Sequence, residues 1–214
     1  MNQIIQGSDE WYAIRRGRVT ASRLHDVTAR VKTGWGASRA DYMAELIAER
    51  LTGITAPSYS NTAMQWGTDM EPEARSAYEF FKGYEVEIIG FAKHPTIEMS
   101  GASPDGLCGT DGMLEIKCPK TATHIDTVLG VPIDGKYIKQ MQWGMACANR
   151  LWCDFVSYDP RLPPDIGSLH VQRVARDDKL IASLEKDVID FLAKLDERLA
   201  TLIKICRGEV KAAA

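Results

Sequence analysis

Apolar residues recur along this chain with two different periods, and the switches between them divide it into elements. Tyr42, Leu46, Ile47 and Leu51 fall at helical spacing, with Ser38 placed to cap and Gly53 to terminate, so the pattern predicts a helix over 40–51. A second helix is predicted after Gly67. There Ala74, Tyr78 and Phe81 form an apolar stripe, and Glu71-Pro72 stand early, where a first turn tolerates proline. From 85 to 116 strands are expected, and the runs 97–99 and 113–116 alternate as short strands do. A further helix over 137–148 leads into strands at 154–158 and 169–174. The last element is a long amphipathic helix over 178–206, in which Ile181, Leu184, Val188, Leu192, Leu195, Leu199, Leu202 and Cys206 recur three and four apart. Segments 131–135 and 160–167, rich in Pro, Gly and Asp, read as surface loops. Helices flanking a mixed central sheet make an α/β fold, and 214 residues with 45% hydrophobic content suit one domain spanning 1–214.

Charge narrows the classes of partner. The formal net charge is only -3, so the molecule as a whole is no basic coat for nucleic acid, and any such contact must use a local patch. Between Trp11 and Arg39 the basic residues Arg15, Arg16, Arg18, Arg23, Arg30, Lys32 and Arg39 stand against a single acid, Asp26. That run also reads as an ordinary solvated face. Cys108, Cys118, Cys147, Cys153 and Cys206 contain no C-x-x-C pair, which argues against a zinc site or a disulfide framework and for reduced thiols in the cytosol. His25, His94, His124 and His170 are scattered without ligand spacing. No leader pattern begins the sequence and no run approaches the roughly 18 apolar residues of a membrane span, so a soluble, cytoplasmic protein is expected.

Candidate chemistry concentrates in two short segments, Ser103-Pro104-Asp105-Gly106 and Glu115-Ile116-Lys117. Gly106, Gly109 and Gly112 between them mark a turn, so a hairpin brings Asp105 and Glu115 close together. Their mutual repulsion then costs free energy unless a divalent cation or a shared proton compensates. Lys117 follows Glu115 by two residues and on a strand shares its face. Carboxylates that hold one or two Mg²⁺ ions, with a lysine to orient or deprotonate water, are the parts of metal-assisted phosphodiester hydrolysis.

Further motifs carry a resemblance. W-x-x-x-R at Trp11 and Arg15, V-T-A-S ending at Ser22, Q-W-G-T-D-M-E ending at Glu71, S-P-D-G-L from Ser103, L-E-I-K-C-P around Glu115 and Lys117, and Y-I-K-Q-M-Q from Tyr137 follow one another in an order and spacing that resembles the phage lambda exonuclease family, also called the YqaJ viral recombinase family. The resemblance implies a restriction-endonuclease-like core and a Mg²⁺-dependent exonuclease that digests one strand of duplex DNA from its 5′ end, releases mononucleotides and leaves a 3′ overhang. It implies two Mg²⁺ ions per active site, with Mn²⁺ able to substitute, held by Asp105, Glu115, the Ile116 carbonyl and Glu71. Lys117 is implied as the water-activating lysine, with Gln140 beside that water. Helical geometry favours Gln140 over Gln142, because Tyr137 and Gln140 share a face. Arg15, Ser22 and Ser103 fall where the family binds the terminal 5′ phosphate, and an arginine fork with two hydroxyls suits a dianionic end.

Weaker expectations attach to positions that touch DNA in that family. Met64 aligns with an apolar wedge between base pairs but suits core burial equally, Lys32 with Arg30 aligns with a groove-following basic residue, and Tyr137 begins the Y-x-x-Q motif. Trp11 reads as core packing rather than base stacking. The resemblance further implies a homotrimeric ring, a single-strand annealing protein as partner, a phage or prophage origin and no membrane. Two other readings stand beside it: a restriction-like endonuclease or repair nuclease with the same metal core, and a DNA-end-binding scaffold without activity.

Overall fold

A computed structural model describes residues 4–56 and 62–210; most of the segment read for a leader therefore lies outside the described residues. The chain opens with α1 (Asp9–Arg15), whose N-cap Ser8 accepts a bond from Trp11 N. Then come β1 (Val19–Thr20), a 3₁₀ turn (Ala21–Arg23), α2 (Leu24–Val27), the hairpin of β2 (Arg30–Val31) and β3 (Gly34–Trp35), α3 (Ala37–Thr52) and α4 (Thr62–Lys82). Five strands follow: β4 (Val86–Glu87), β5 (Ala92–Lys93), β6 (Ser100–Ala102), β7 (Gly106–Cys108) and β8 (Gly112–Lys117). Helices α5 (Thr121–Val128) and α6 (Gly135–Ala148) precede β9 (Trp152–Tyr158) and β10 (Leu169–Ala175), and α7 (Asp178–Cys206) is the last helix. The central sheet has the order β10-β9-β8-β7-β4 and is mixed, since β8 and β9 run parallel while its other pairs are antiparallel. A smaller sheet, β1-β6-β5, stands beside it.

Strand β8 organises both faces of the central sheet. Leu114 and Ile116 pack with Ala74 and Tyr78 of α4, whereas Met113 packs with Met141 and Met145 of α6. Alternation along the strand therefore sends Glu115 and Lys117 to the side of α6. The β7–β8 hairpin turns at Gly109, which holds φ +57, a left-handed conformation that glycine adopts without steric cost. Gly106 is glycine for a different reason: a Cβ there would stand 2.1 Å from Val86 Cγ1. Helix α7 lies over α3, burying Leu184, Val188, Phe191 and Leu195 against Tyr42, Leu46 and Ile47, with the Phe191 and Tyr42 rings stacked at 5.7 Å. Its apolar stripe goes uncovered toward the end, where Leu202 and Cys206 are exposed.

Several expectations need correction. Helix α3 starts at Ala37 with Gly36 as its N-cap, so Ser38 lies inside it, while Gly53 does terminate it at φ 66. Helix α4 begins before Gly67, and Pro72 sits in its interior. Gly67 and Pro72 mimic a boundary, but the packing of Ala74, Tyr78 and the half-buried Trp66 and Met70 on the sheet outweighs their propensities. Segment 97–99 is a turn, not a strand; the ring nitrogen Nδ1 of His94 accepts from Ile97 N and fixes it. Most of the N-terminal basic run is no free patch. Arg23 pairs with Asp26 and Glu45, Arg30 with Asp187, and Arg39 with Asp190, while Arg16 donates to Thr55 and Arg18 to Ile14 O.

At the end of β9 a buried carboxylate ties the following loop down. Asp159 is fully buried and accepts from the Arg161 backbone N–H at 3.0 Å and from its guanidinium at 2.6 and 3.0 Å. Burial alone would raise its pKa, but Arg161 and the Thr121 hydroxyl outweigh that and hold it at about 2. A carboxyl group depressed on folding contributes stability above its unfolded pKa and loses it as pH falls through the folded value. Asp159→Asn is therefore expected to destabilise by about 2 kcal/mol at pH 7. In urea unfolding at a series of pH values, the gap between wild type and variant should close between about pH 4 and pH 2.

Candidate active site

Four elements converge where β8 ends. Asp105 lies just before β7, with its N–H donating to Leu114 O at 3.2 Å, and its Oδ2 accepts from Ile116 N at 2.6 Å. That bond fixes the carboxylate across the hairpin beside the strand that carries Glu115 and Lys117. Glu115, 2% exposed, accepts from Gln140 Nε2 at 2.6 Å and from Lys117 Nζ through the same oxygen, Oε1. Glu71 reaches in from α4, paired with Arg75 one turn on, and Arg75 Nε donates in addition to Asp105 O at 3.2 Å. Glu71, Asp105, Glu115, Lys117 and Gln140 are thus brought together as expected, and Gln142 is not. Gln142 is buried behind the site, donating to Ala175 O and accepting from Asp177 N.

The electrostatics follow from burial. Desolvation raises all three carboxyl groups: Glu115 goes up to about 7, helped by Asp105 and opposed by Lys117, and Asp105 and Glu71 also move up. Burial would lower Lys117, but Glu115 and Asp105 reverse this and hold the ammonium protonated. Each carboxylate is engaged by a neighbour, and among the described residues no three His, Cys, Asp or Glu side chains already form a cage for an ion. The donors are nonetheless hard oxygens, three carboxylates in surroundings that disfavour their charge, with Ile116 in the same cavity wall; that is the donor chemistry that suits Mg²⁺.

These residues open on a cavity of about 1220 Å³, above the roughly 300–1,000 Å³ of small-molecule sites. Glu71, Asp105, Ile116 and Lys117 form one part of its wall, and Met64, Trp66, Lys120, Lys136, Tyr137 and Arg161 line the rest. Met64 is 55% exposed there, so core burial is excluded. Tyr137 lies under the Lys117 and Lys136 ammonium groups at 5.2 and 4.8 Å. Lys32 is exposed on the β2–β3 hairpin and Arg30 stacks on Trp35 at 3.8 Å; neither lines the cavity.

A second cluster stands immediately upstream of Asp105. Ser103 Oγ accepts from Arg15 Nη1 at 2.9 Å and from Trp11 Nε1 at 2.9 Å, and the guanidinium lies 4.1 Å over the Trp11 ring. Trp11 also donates to Gly90 O, so its indole positions Ser103 rather than filling the core. No carboxylate pairs with Arg15 among the described residues, and burial lowers its pKa. Ser22 is exposed, and its hydroxyl bonds to neither Arg15 nor Ser103 among the described residues. The parallel register of β1 and β6, Val19 with Ser100 and Thr20 with Gly101, nevertheless carries Ser22 and Ser103 out of the same end of that pair. Arg75 escaped the sequence reading, although its spacing of four from Glu71 on one helix was a usable signal.

Comparison with known proteins identifies the family. The chain is 49% identical to LHK-Exo, an alkaline exonuclease from Laribacter hongkongensis; the alignment covers 95% of this chain and 100% of that one, with a TM-score of 0.88 for its complex with dAMP. A phage-related exonuclease from Haemophilus somnus 129PT, at 16% identity and TM-score 0.67, covers 86% of this chain and 96% of its own and shows the same fold. The uncharacterised protein ExoD of Escherichia coli (strain K12) is 33% identical over 70 residues, which are 33% of this chain and 78% of that protein. The family model of the YqaJ-like viral recombinase domain matches residues 10–150, the stretch that contains both clusters, and the chain belongs to that family of nucleases.

Proposed function

We propose that this nuclease is a Mg²⁺-dependent exonuclease that degrades one strand of duplex DNA from a 5′-phosphorylated end, releasing mononucleotides and leaving a 3′ overhang for recombination by single-strand annealing. The observation that carries this reading is the junction of two clusters on one segment. Ser103, held by an arginine with no acidic partner among the described residues, stands two residues from Asp105, which shares a buried pocket with Glu115 and Lys117. Name and 49% identity of LHK-Exo support the exonuclease activity. The resemblance to the lambda exonuclease family supports the 5′ polarity, a ring of three copies, a single-strand annealing partner, and work in the cytoplasm of a bacterial host for a phage or prophage. Among the described residues, no helix is long and apolar enough to cross a membrane.

In this reading Asp105, Glu115 and the Ile116 carbonyl hold one metal ion and Glu71 serves a second, with Mn²⁺ able to replace Mg²⁺. When bound, such ions supply Lewis acidity toward water and phosphate. The chain's own residues do the rest. Gln140 keeps Glu115 oriented through its 2.6 Å bond and stands beside the attacking water. Lys117 Nζ retains its proton while the carboxylates around it are uncompensated. Once their charge is neutralised, the proton is held less tightly: the ammonium can orient water as a donor, and only after releasing its own proton to solvent could the neutral amine accept one from that water. Arg15 and Ser103, with Ser22 beside them, hold the dianionic terminal phosphate that an internal phosphodiester cannot present. In the same reading Met64, exposed in the cavity wall, would part the terminal base pair, and Tyr137 would contact the strand. Lys32 and Arg30 are assigned to the duplex outside the cavity, with Arg30 held by Asp187.

With Mg²⁺ present, linear duplexes should be degraded from 5′ ends and closed circles left intact, and a chelator should stop the reaction; cutting of closed circles would favour the restriction-like endonuclease. Lys117→Ala is expected to lower kcat by at least about 100-fold while binding of DNA ends without Mg²⁺ persists; retained cleavage would refute the lysine's role. Arg15→Ala should lower kcat/KM on the order of 10- to 100-fold on 5′-phosphorylated ends. The same variant should change little on ends without phosphate, and an equal loss on both would count against the assignment.

A further inference from the structure

The cavity wall holds four cations, and their partners differ. Lys117 is engaged by Glu115, and Arg161 is bound by Asp159 at 2.6 and 3.0 Å. Lys120, exposed at the N-cap of α5, makes no ion pair or side-chain hydrogen bond among the described residues. Lys136, in the first turn of α6, has only a 3.4 Å contact with Asp134, between two side chains about half exposed, and lies over the Tyr137 ring. Pairs of that kind are weak and leave the ammonium available to a competing anion. Helix α5 has no side-chain cap, so its first N–H groups add partial positive charge on the side of Lys120. The pairing of Arg23, Arg30 and Arg39 with carboxylates weakens the N-terminal basic run as a competing place for a polyanion.

We propose that Lys120 and Lys136 clamp the backbone phosphates adjacent to the scissile one and supply the salt-sensitive part of substrate binding. The inference rests on the duplex nuclease reading above. It assigns the two lysines to the phosphate backbone and to no base, so the contact is independent of sequence. Because Lys136 already has Asp134 as a neighbour, its share is the smaller.

The test measures KM for a linear, 5′-phosphorylated duplex between 50 and 200 mM salt in wild type, Lys120→Ala, Lys136→Ala and the double variant, with Lys186→Ala on the exposed side of α7 as control. Each lost phosphate contact should flatten the slope of log KM against log salt by about 0.9. Over that fourfold range in salt, the wild type's loss of affinity should thus exceed that of the double variant by about 12-fold if both lysines make full contacts, and by less in proportion to the smaller share of Lys136. The penalty should fall on KM more than on kcat, and Lys120→Arg with Lys136→Arg should restore the slope. A double variant with the wild-type slope, or an equal flattening by Lys186→Ala, would overturn the clamp. Fluorescence anisotropy of the same duplex without Mg²⁺ reads the same slopes in binding; absence of cleavage by the wild type would refute the nuclease reading while this second measurement still decides on the clamp.

Discussion

Three carboxyl groups crowd the end of one strand, Glu115 buried and Glu71 and Asp105 half-buried, and the surrounding structure is arranged to make that tolerable. Two like charges about 4 Å apart in partly buried surroundings repel by about 4 kcal/mol, which is comparable with the whole stability of a domain, about 5–15 kcal/mol. Glu71, Asp105 and Glu115 therefore each have a compensating neighbour: Arg75, the Ile116 N–H and Lys117. Protonation is the other outlet, and burial moves Glu115 toward it, up to about 7. Such a cluster is costly as architecture and useful as a receptor for divalent cations, because binding an ion relieves the repulsion that folding created.

The register of β8 explains how four elements meet there. With Leu114 and Ile116 committed to α4 and Met113 to α6, Glu115 must face α6, and Gln140 stands at the height on that helix that meets it. A shift of one residue in the β7–β8 pairing would turn Glu115 and Lys117 toward α4 and the apolar residues toward α6. Gly109 in the turn and Gly106 against Val86 guard against that slip.

Much of this was legible in the sequence and some was not, for identifiable reasons. Strands β8, β9 and β10 and helix α7 have strong periods, and the structure places them close to where the sequence does; the first strand of the hairpin is instead β7, inside the glycine-marked stretch that reads as turn, because Gly106 pairs with Leu114 and residues 97–99 are held as a turn by His94. The beginning of α4 was missed because Gly67 and Pro72 are judged locally, whereas the helix is stabilised by distant contacts of Trp66, Met70 and Tyr78. The short elements before α3 have too few residues for a period. The basic run from Arg15 to Arg39 reads two ways in the sequence, as a patch or as an ordinary face, because composition counts charges but not partners, and Asp187 and Asp190 lie about 150 residues downstream. The helix periodicity that separated Gln140 from Gln142 succeeded because both sit on one regular element, where three against two residues is a definite rotation.

The spacing of the two clusters ties recognition to chemistry. Ser103 and Asp105 are two residues apart, so their Cα atoms are at most about 7 Å from each other. DNA advances about 3.4 Å per nucleotide along its axis in each strand. A terminal phosphate held at Ser103 by Arg15 therefore presents only a bond within a nucleotide or two of the end to the carboxylates. Pro104 between the two residues stiffens that short link, and Gln6 Nε2 donates to its carbonyl at 2.8 Å, so the spacing is fixed from both sides of the chain. In the proposed reading the length of the released product is thus set by the backbone of a three-residue segment.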